Sequence, residues 1–141
     1  METLVPEGGA GAAAGAASGA KVLVIDDSNT IRRSAEIFLR QGGHEVLLAE
    51  DGFDALAKVN DHDPELIFCD ILMPRLDGYQ TCAIIKRNPR YAHVPVIMLS
   101  SKDGLFDKAR GRMVGSQDYL TKPFTKEQLL RAVESFRRVA G

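Results

Sequence analysis

The chain has only two cysteines in 141 residues, Cys69 and Cys82. That is too few for a disulfide framework, and their separation matches no metal-ligand spacing. Both lie in apolar runs, so they read as free core thiols of a protein in a reducing compartment. No apolar run approaches the ~18 residues that a membrane span requires. The N-terminus also lacks the basic stretch and continuous apolar segment of a secretory signal. A cytoplasmic protein without membrane insertion is the expectation. An excess of one charge is missing as well: the formal net charge is −1, so no global field favours nucleic acid or an acidic membrane. Large side chains are nearly absent from residues 1–20, which contain GGAGAAAGAASGA. Such a segment cannot offset the entropy of ordering and reads as a flexible tail.

What remains, residues 21–141, has room for one domain with a substantial core. Hydrophobic residues make up 45% of the chain and charged residues 26%, the usual mix for a globular protein. Charge is unevenly spread. Residues 1–74 carry 5 basic and 13 acidic side chains, residues 75–141 carry 13 basic and 6 acidic. Solvated helix faces account for most of this, but early acids also suit a cation site.

From Lys21 onward, short apolar runs alternate with helical patterns. Val22–Ile25 reads as a strand buried on both faces. Ser28 or Asn29 can cap the helix after it, with Ile31, Ala35 and Phe38 inward and Gly42 and Gly43 as its stop. The unit repeats with a strand over Glu45–Ala49, a helix over Asp51–Asn60, a strand over Leu66–Cys69 and a helix over Asp77–Lys86. A strand over Val94–Leu99, a weaker helix over Asp103–Met113 and a strand over Asp118–Thr121 follow. Thr125 and Gln128 form a capping box for the last helix, whose inward face is Leu129, Val133 and Phe136. Five strands alternating with five helices imply an α/β, doubly wound parallel sheet with right-handed crossovers. Ligands of such sheets bind beyond the carboxyl ends of the strands.

The strand ends are therefore the place to look for chemistry. They carry Asp26 and Asp27, then Asp70, then Ser100, then Lys122. At ~5 Å and an effective dielectric near 20, each pair of these carboxylates repels by on the order of 3 kcal/mol. A raised carboxyl pKa or a bound cation relieves that cost, and a few oxygen ligands with room for water suit Mg²⁺. An ammonium at Lys122 is useful if another anion is to arrive, and a phosphoryl group is the natural one. Ser100 could donate to its oxygens. Taken singly, Asp26 and Asp27 could be helix caps, Lys122 a surface lysine and Ser100 a turn residue. Their common position on one sheet edge gives the pattern its specificity.

The segments VLVIDDS, FCDILMPRLDGYQ, PVIMLSS and YLTKPF resemble the signature segments of the CheY-like receiver domain of two-component response regulators. The resemblance extends over nearly all of the folded chain. The stretches DGFDALAK, MPRLDGYQTCAIIK and VIMLSSKDGLFDKARGRMVGSQDYLTKPF resemble more narrowly the PilG-type regulators of type IV pilus twitching motility. The resemblance implies that Asp70 is the phosphoacceptor. It implies that Asp27 binds Mg²⁺ directly, Asp26 mainly through water, and Leu72 through its backbone carbonyl. It further implies that Lys122 contacts the phosphoryl group, that Ser100 moves toward it, and that Tyr119 turns inward as Ser100 moves. A cis Lys122–Pro123 bond is also implied.

On that reading the chain takes a phosphoryl group from a histidine kinase or phosphotransfer domain of a chemotaxis-like system, and catalyses only its own modification and hydrolysis. With the last helix closing at Gly141, output is expected through protein contacts, such as pilus motor or regulatory proteins, by a monomer. Lys102, Lys108, Arg110, Arg112 and Lys126 form a candidate patch for an acidic partner. Leu72, beside the route of an attacking water, is expected to slow hydrolysis. Two rivals fit less well. A phosphatase of the haloacid dehalogenase type needs its nucleophile in Asp-x-Asp on the first strand, and a flavodoxin-like carrier would meet repulsion from DDSNT. A phosphate sink that drains a shared kinase keeps the same site and differs only in output.

Overall fold

The computed structural model describes residues 19–101 and 107–140, with the side chains of residues 138–140 excepted. The strands are β1 (Lys21–Ile25), β2 (Glu45–Ala49), β3 (Leu66–Asp70), β4 (Val96–Ser101) and β5 (Asp118–Lys122). The helices are α1 (Asn29–Gln41), α2 (Gly52–His62), α3 (Gly78–Arg87), α4 (Lys108–Met113) and α5 (Lys126–Ala140). All strand pairs are parallel, in the order β2-β1-β3-β4-β5. The chain steps outward from β1 to β2 and then crosses back to β3. The switch point thus lies between β1 and β3, whose ends carry Asp26 and Asp70.

Each sheet face has its own core. Leu23, Ile25, Ile67, Cys69 and Met98 pack beneath Ala55 and Val59 of α2 and Tyr79, Cys82 and Ile85 of α3. Val22, Val24, Phe68, Ile97 and Leu99 pack beneath Ala35 and Leu39 of α1 and Leu129 and Val133 of α5. Every residue of β3 is buried, so side-chain packing fixes the central strand from both sides. Local chemistry sets the helix starts. Ser28 Oγ accepts from the Ile31 N–H, Asp77 and Gln80 form a reciprocal capping box, and Thr125 and Gln128 form another. Gly43, at φ 87, turns the chain from α1 into β2.

Several sequence boundaries shift. β4 begins at Val96, not Val94, because the Val94 N–H closes a turn onto the Tyr91 carbonyl and Pro95 has no N–H to donate. β4 and β5 run on into their polar ends, with Ser100 opposite Thr121 and Ser101 opposite Lys122. The described part of α4 begins at Lys108, capped by Asp107. Lys102 and residues 103–106 lie outside the described residues, as does the expected tail over residues 1–18. At the other boundary, the packed chain starts before Lys21. Ala20 is fully buried, and its N–H donates to His44 Nδ1 at 3.0 Å.

The β3–α3 connection depends on one close approach. The Gly78 N–H donates to the Ile71 carbonyl at 2.8 Å, and a Cβ at Gly78 would lie 2.2 Å from the Asp70 carbonyl oxygen. Backbone cannot yield there as a flexible side chain would. Gly78→Ala is expected to destabilise the fold by about 2 kcal/mol, measured as a lower urea midpoint with an unchanged slope.

Candidate functional site

Strand pairing brings the sequence-predicted groups to one edge. Ile25 pairs with Cys69, Asp70 with Leu99, and Ser101 with Lys122. Carboxylate oxygens of Asp26, Asp27 and Asp70 lie within 4.8 Å of one another. Lys122 Nζ donates to Asp26 Oδ2 at 3.1 Å and to Asp70 Oδ1 at 3.0 Å. The Lys122–Pro123 peptide bond is cis.

The two adjacent acids are not equivalent. Asp26 is fully buried while Asp27 is exposed. Asp26 is held by more than Lys122: the Ser28 N–H donates to its Oδ1 at 2.8 Å, and the Arg32 guanidinium donates to its backbone carbonyl. Neither partner was evident in the sequence, although Ser28 stood out as a helix cap. Asp70 is only 4% exposed. Burial and then the charge of Asp26 push its carboxyl up to about 6, against an ordinary 3.8, although Lys122 pulls the other way. Burial lowers the Lys122 ammonium, but Asp70 and Asp26 together outweigh it and hold its pKa above the ordinary value.

Among the described residues, the three carboxylates share Lys122 as their one ion-pair cation, and the Arg32 guanidinium, bonded to a backbone carbonyl, leaves the cluster with excess negative charge. That residue of charge, the oxygen donor set and the open side at Asp27 fit a hard divalent cation that keeps several waters. On the β4–β5 ladder Ser100 pairs with Thr121 and Tyr119 with Met98. Ser100 is buried, its hydroxyl donating to the Ser101 carbonyl at 3.2 Å. Tyr119 is half-buried against the α2–α3 core, with the Lys108 ammonium 5.5 Å from its ring centroid. Leu72 is exposed, two residues beyond Asp70.

Of the expected basic patch, Lys108 and Arg112 line a surface groove with Gln117 and Tyr119. Arg110 instead turns toward α3, its guanidinium 4.3 Å from the Tyr79 ring centroid and 3.8 Å from Asp77. The buried Tyr79 hydroxyl also accepts the Asp107 N–H at 2.7 Å.

Residues 22–134 match the model of the response regulator receiver domain. The chain belongs to that family. It is 66% identical over 117 residues to Protein PilG of Pseudomonas aeruginosa, covering 83% of this chain and 87% of the relative. It is 36% identical over 116 residues to Protein PilH of the same organism, covering 82% and 96%. Among solved structures it is similar to the Vibrio cholerae chemotaxis protein CheY4, with a TM-score of 0.80 and 34% identity over 84% of this chain and 99% of the other. It is likewise similar to the Francisella response regulator 1452 receiver domain, with a TM-score of 0.78 and 33% identity over 87% and 100%. Membership makes this a signalling domain of a two-component system, which implies a histidine kinase or phosphotransfer partner. Among the described residues no helix is long and apolar enough to cross a membrane.

The raised Asp70 carboxyl has a measurable consequence. With a folded pKa near 6 and an unfolded one near 3.8, the folded state binds the extra proton between those values. Stability is therefore fully present below the unfolded pKa and is lost as pH rises through about 6. Without divalent metal, Asp70→Asn should be more stable than wild type by about 2 kcal/mol at pH 7.5. The gain should vanish near pH 4, measured by urea unfolding at both values.

Proposed function

We propose that Asp70 is phosphorylated from a phosphohistidine and that the domain signals by altered protein contacts. The observation that carries this reading is the buried pair of carboxylates sharing one ammonium, with Asp27 open to solvent beside them. Asp70 attacks as a carboxylate. A P–O bond forms to its free oxygen as the P–N bond to the donor imidazole breaks, and the leaving nitrogen keeps the electron pair. Lys122 is positioned to follow the charge from the Asp70 carboxylate to the phosphoryl oxygens. Asp27, Asp26, Asp70 and the Leu72 carbonyl would hold Mg²⁺. When bound, that ion neutralises the charge developing on the transferring group.

No other side chain is asked to form a covalent bond, and the chain acts catalytically only on its own acyl phosphate. Ser100 would leave the Ser101 carbonyl for a phosphoryl oxygen, and Tyr119 would turn into the space beside it. Lys108 would thereby lose its aromatic contact, changing the groove it shares with Arg112. The likeness to PilG and PilH supports a cytoplasmic bacterial protein of a chemotaxis-like system acting on type IV pilus twitching motility. Its output would be a pilus motor or regulatory protein, contacted by a monomeric receiver domain.

Incubation with Mg²⁺ and a small phosphodonor such as acetyl phosphate should give a base-labile mass gain on wild type and none on Asp70→Asn. An undiminished gain on the variant, or none on wild type, would overturn the assignment. The Leu72 side chain, exposed two residues beyond Asp70, would shield the acyl phosphate from water. Leu72→Asn should shorten the phosphorylated lifetime several-fold, followed by decay of the mass adduct after donor removal.

A further inference from the structure

Among the described residues, Ser101 Oγ is the one buried side-chain nitrogen or oxygen without a hydrogen-bond partner. Its position on the sheet gives that isolation meaning. Along β4, Val96 and Met98 pack into the α2–α3 core, while Ile97 and Leu99 pack into the α1–α5 core. Alternation therefore sends Ser100 after Met98 and Ser101 after Leu99. On the other strands, Val24, Phe68 and Leu120 belong to the α1–α5 side, and each precedes a site residue by two: Asp26, Asp70 and Lys122. By the same alternation Asp26, Asp70, Ser101 and Lys122 share one sheet face at its carboxyl edge, and Ser100 starts from the other.

Register brings Ser101 closer to the chemistry. It lies directly opposite Lys122 on β5, about 4.8 Å across a strand pair, and two residues beyond Leu99, the partner of Asp70. Lys122 spends two N–H groups on Asp26 and Asp70, and an ammonium has three. A buried hydroxyl without a partner is a cost that an arriving acceptor removes. An anion built on Asp70 beside Lys122 would bring such acceptors to this face.

We propose that Ser101 Oγ donates a hydrogen bond to an oxygen of the phosphoryl group on Asp70, on the side held by Lys122. Ser101 would then be a second phosphoryl-binding hydroxyl, reaching the group from the opposite side of β4 to Ser100. This inference rests on the phosphoryl-transfer reading above, and it adds a donor already in place before transfer.

The test uses the full chain with Mg²⁺ and beryllofluoride, a phosphoryl mimic, titrated by thermal shift for wild type and Ser101→Ala. The variant should bind the mimic more weakly, on the order of tenfold, the worth of one hydrogen bond to a charged group. Without mimic it should unfold at the same temperature as wild type or higher, because no existing bond is lost. Unchanged affinity in Ser101→Ala would overturn the inference and leave the phosphoryl reading standing. So would a clear loss of stability without mimic, which would mean that the hydroxyl is already satisfied. A wild type that does not respond to beryllofluoride would overturn both readings.

Discussion

One ammonium shared between two buried carboxylates is the constraint around which this structure is arranged. Lys122 lies within 3.1 Å of both Asp26 and Asp70, which come from strand ends adjacent at the switch point of the sheet. Removing charged groups from water is expensive, and pairing recovers the cost only where geometry is good. Here the third carboxylate, Asp27, tips the balance to excess negative charge. The site is electrostatically incomplete, and the fold tolerates it because parallel packing holds the strand ends where they are. The raised carboxyl at Asp70 and the raised ammonium at Lys122 express the same incompleteness from opposite sides.

That tolerance comes from sequence features remote from the acids. A central strand buried along its whole length cannot slip in register without exposing apolar side chains or burying polar ones. Gly78 lets α3 begin against the Asp70 carbonyl, and the Asp77–Gln80 capping box sets the direction in which the helix leaves. Ser28 serves both ends of a short span, its hydroxyl capping α1 and its N–H bonding Asp26. Helix starts and carboxylate positions are thus set by the same residues.

These origins explain what was legible in the sequence. The strands were, because fully buried parallel strands are near-continuous apolar runs, and the acids, serine and lysine that end them stood out by contrast. The inequality of Asp26 and Asp27 was not. A strand buried on both faces has no alternation to mark its inward side, so burial separates the two acids only after β1 is packed. The start of β4 was misread because Val94 is as apolar as a strand residue, and its use in a turn depends on Tyr91. Packing also brought in residues that periodicity had passed over, such as Leu39 in α1 and Thr81 in α3, both fully buried. The partners of Tyr79 and Arg110 span separate elements, and no local pattern encodes them.

The contrast between the sheet edge and α4 bears on how a change at Asp70 could travel. The edge is anchored by ladder pairing and two cores. The described part of α4 has six residues, of which only Gly111 is buried, and Met113 is almost fully exposed. Among the described residues, its side chains are tied to the fold by two aromatic contacts on opposite flanks, Tyr79 with Arg110 and the Asp107 N–H, and Tyr119 with Lys108, and its end by the Cys82 thiol on the Val114 carbonyl. Such contacts are worth about a kcal/mol each at partly exposed sites, far less than moving a strand would cost. If Asp70 is modified as proposed, strain at the edge shared by Asp26, Asp70 and Lys122 would be relieved at α4 before it is relieved in the sheet. On the proposed function, the rigid edge would make the chemistry reproducible, and the lightly held helix beside it would make that chemistry visible at the surface.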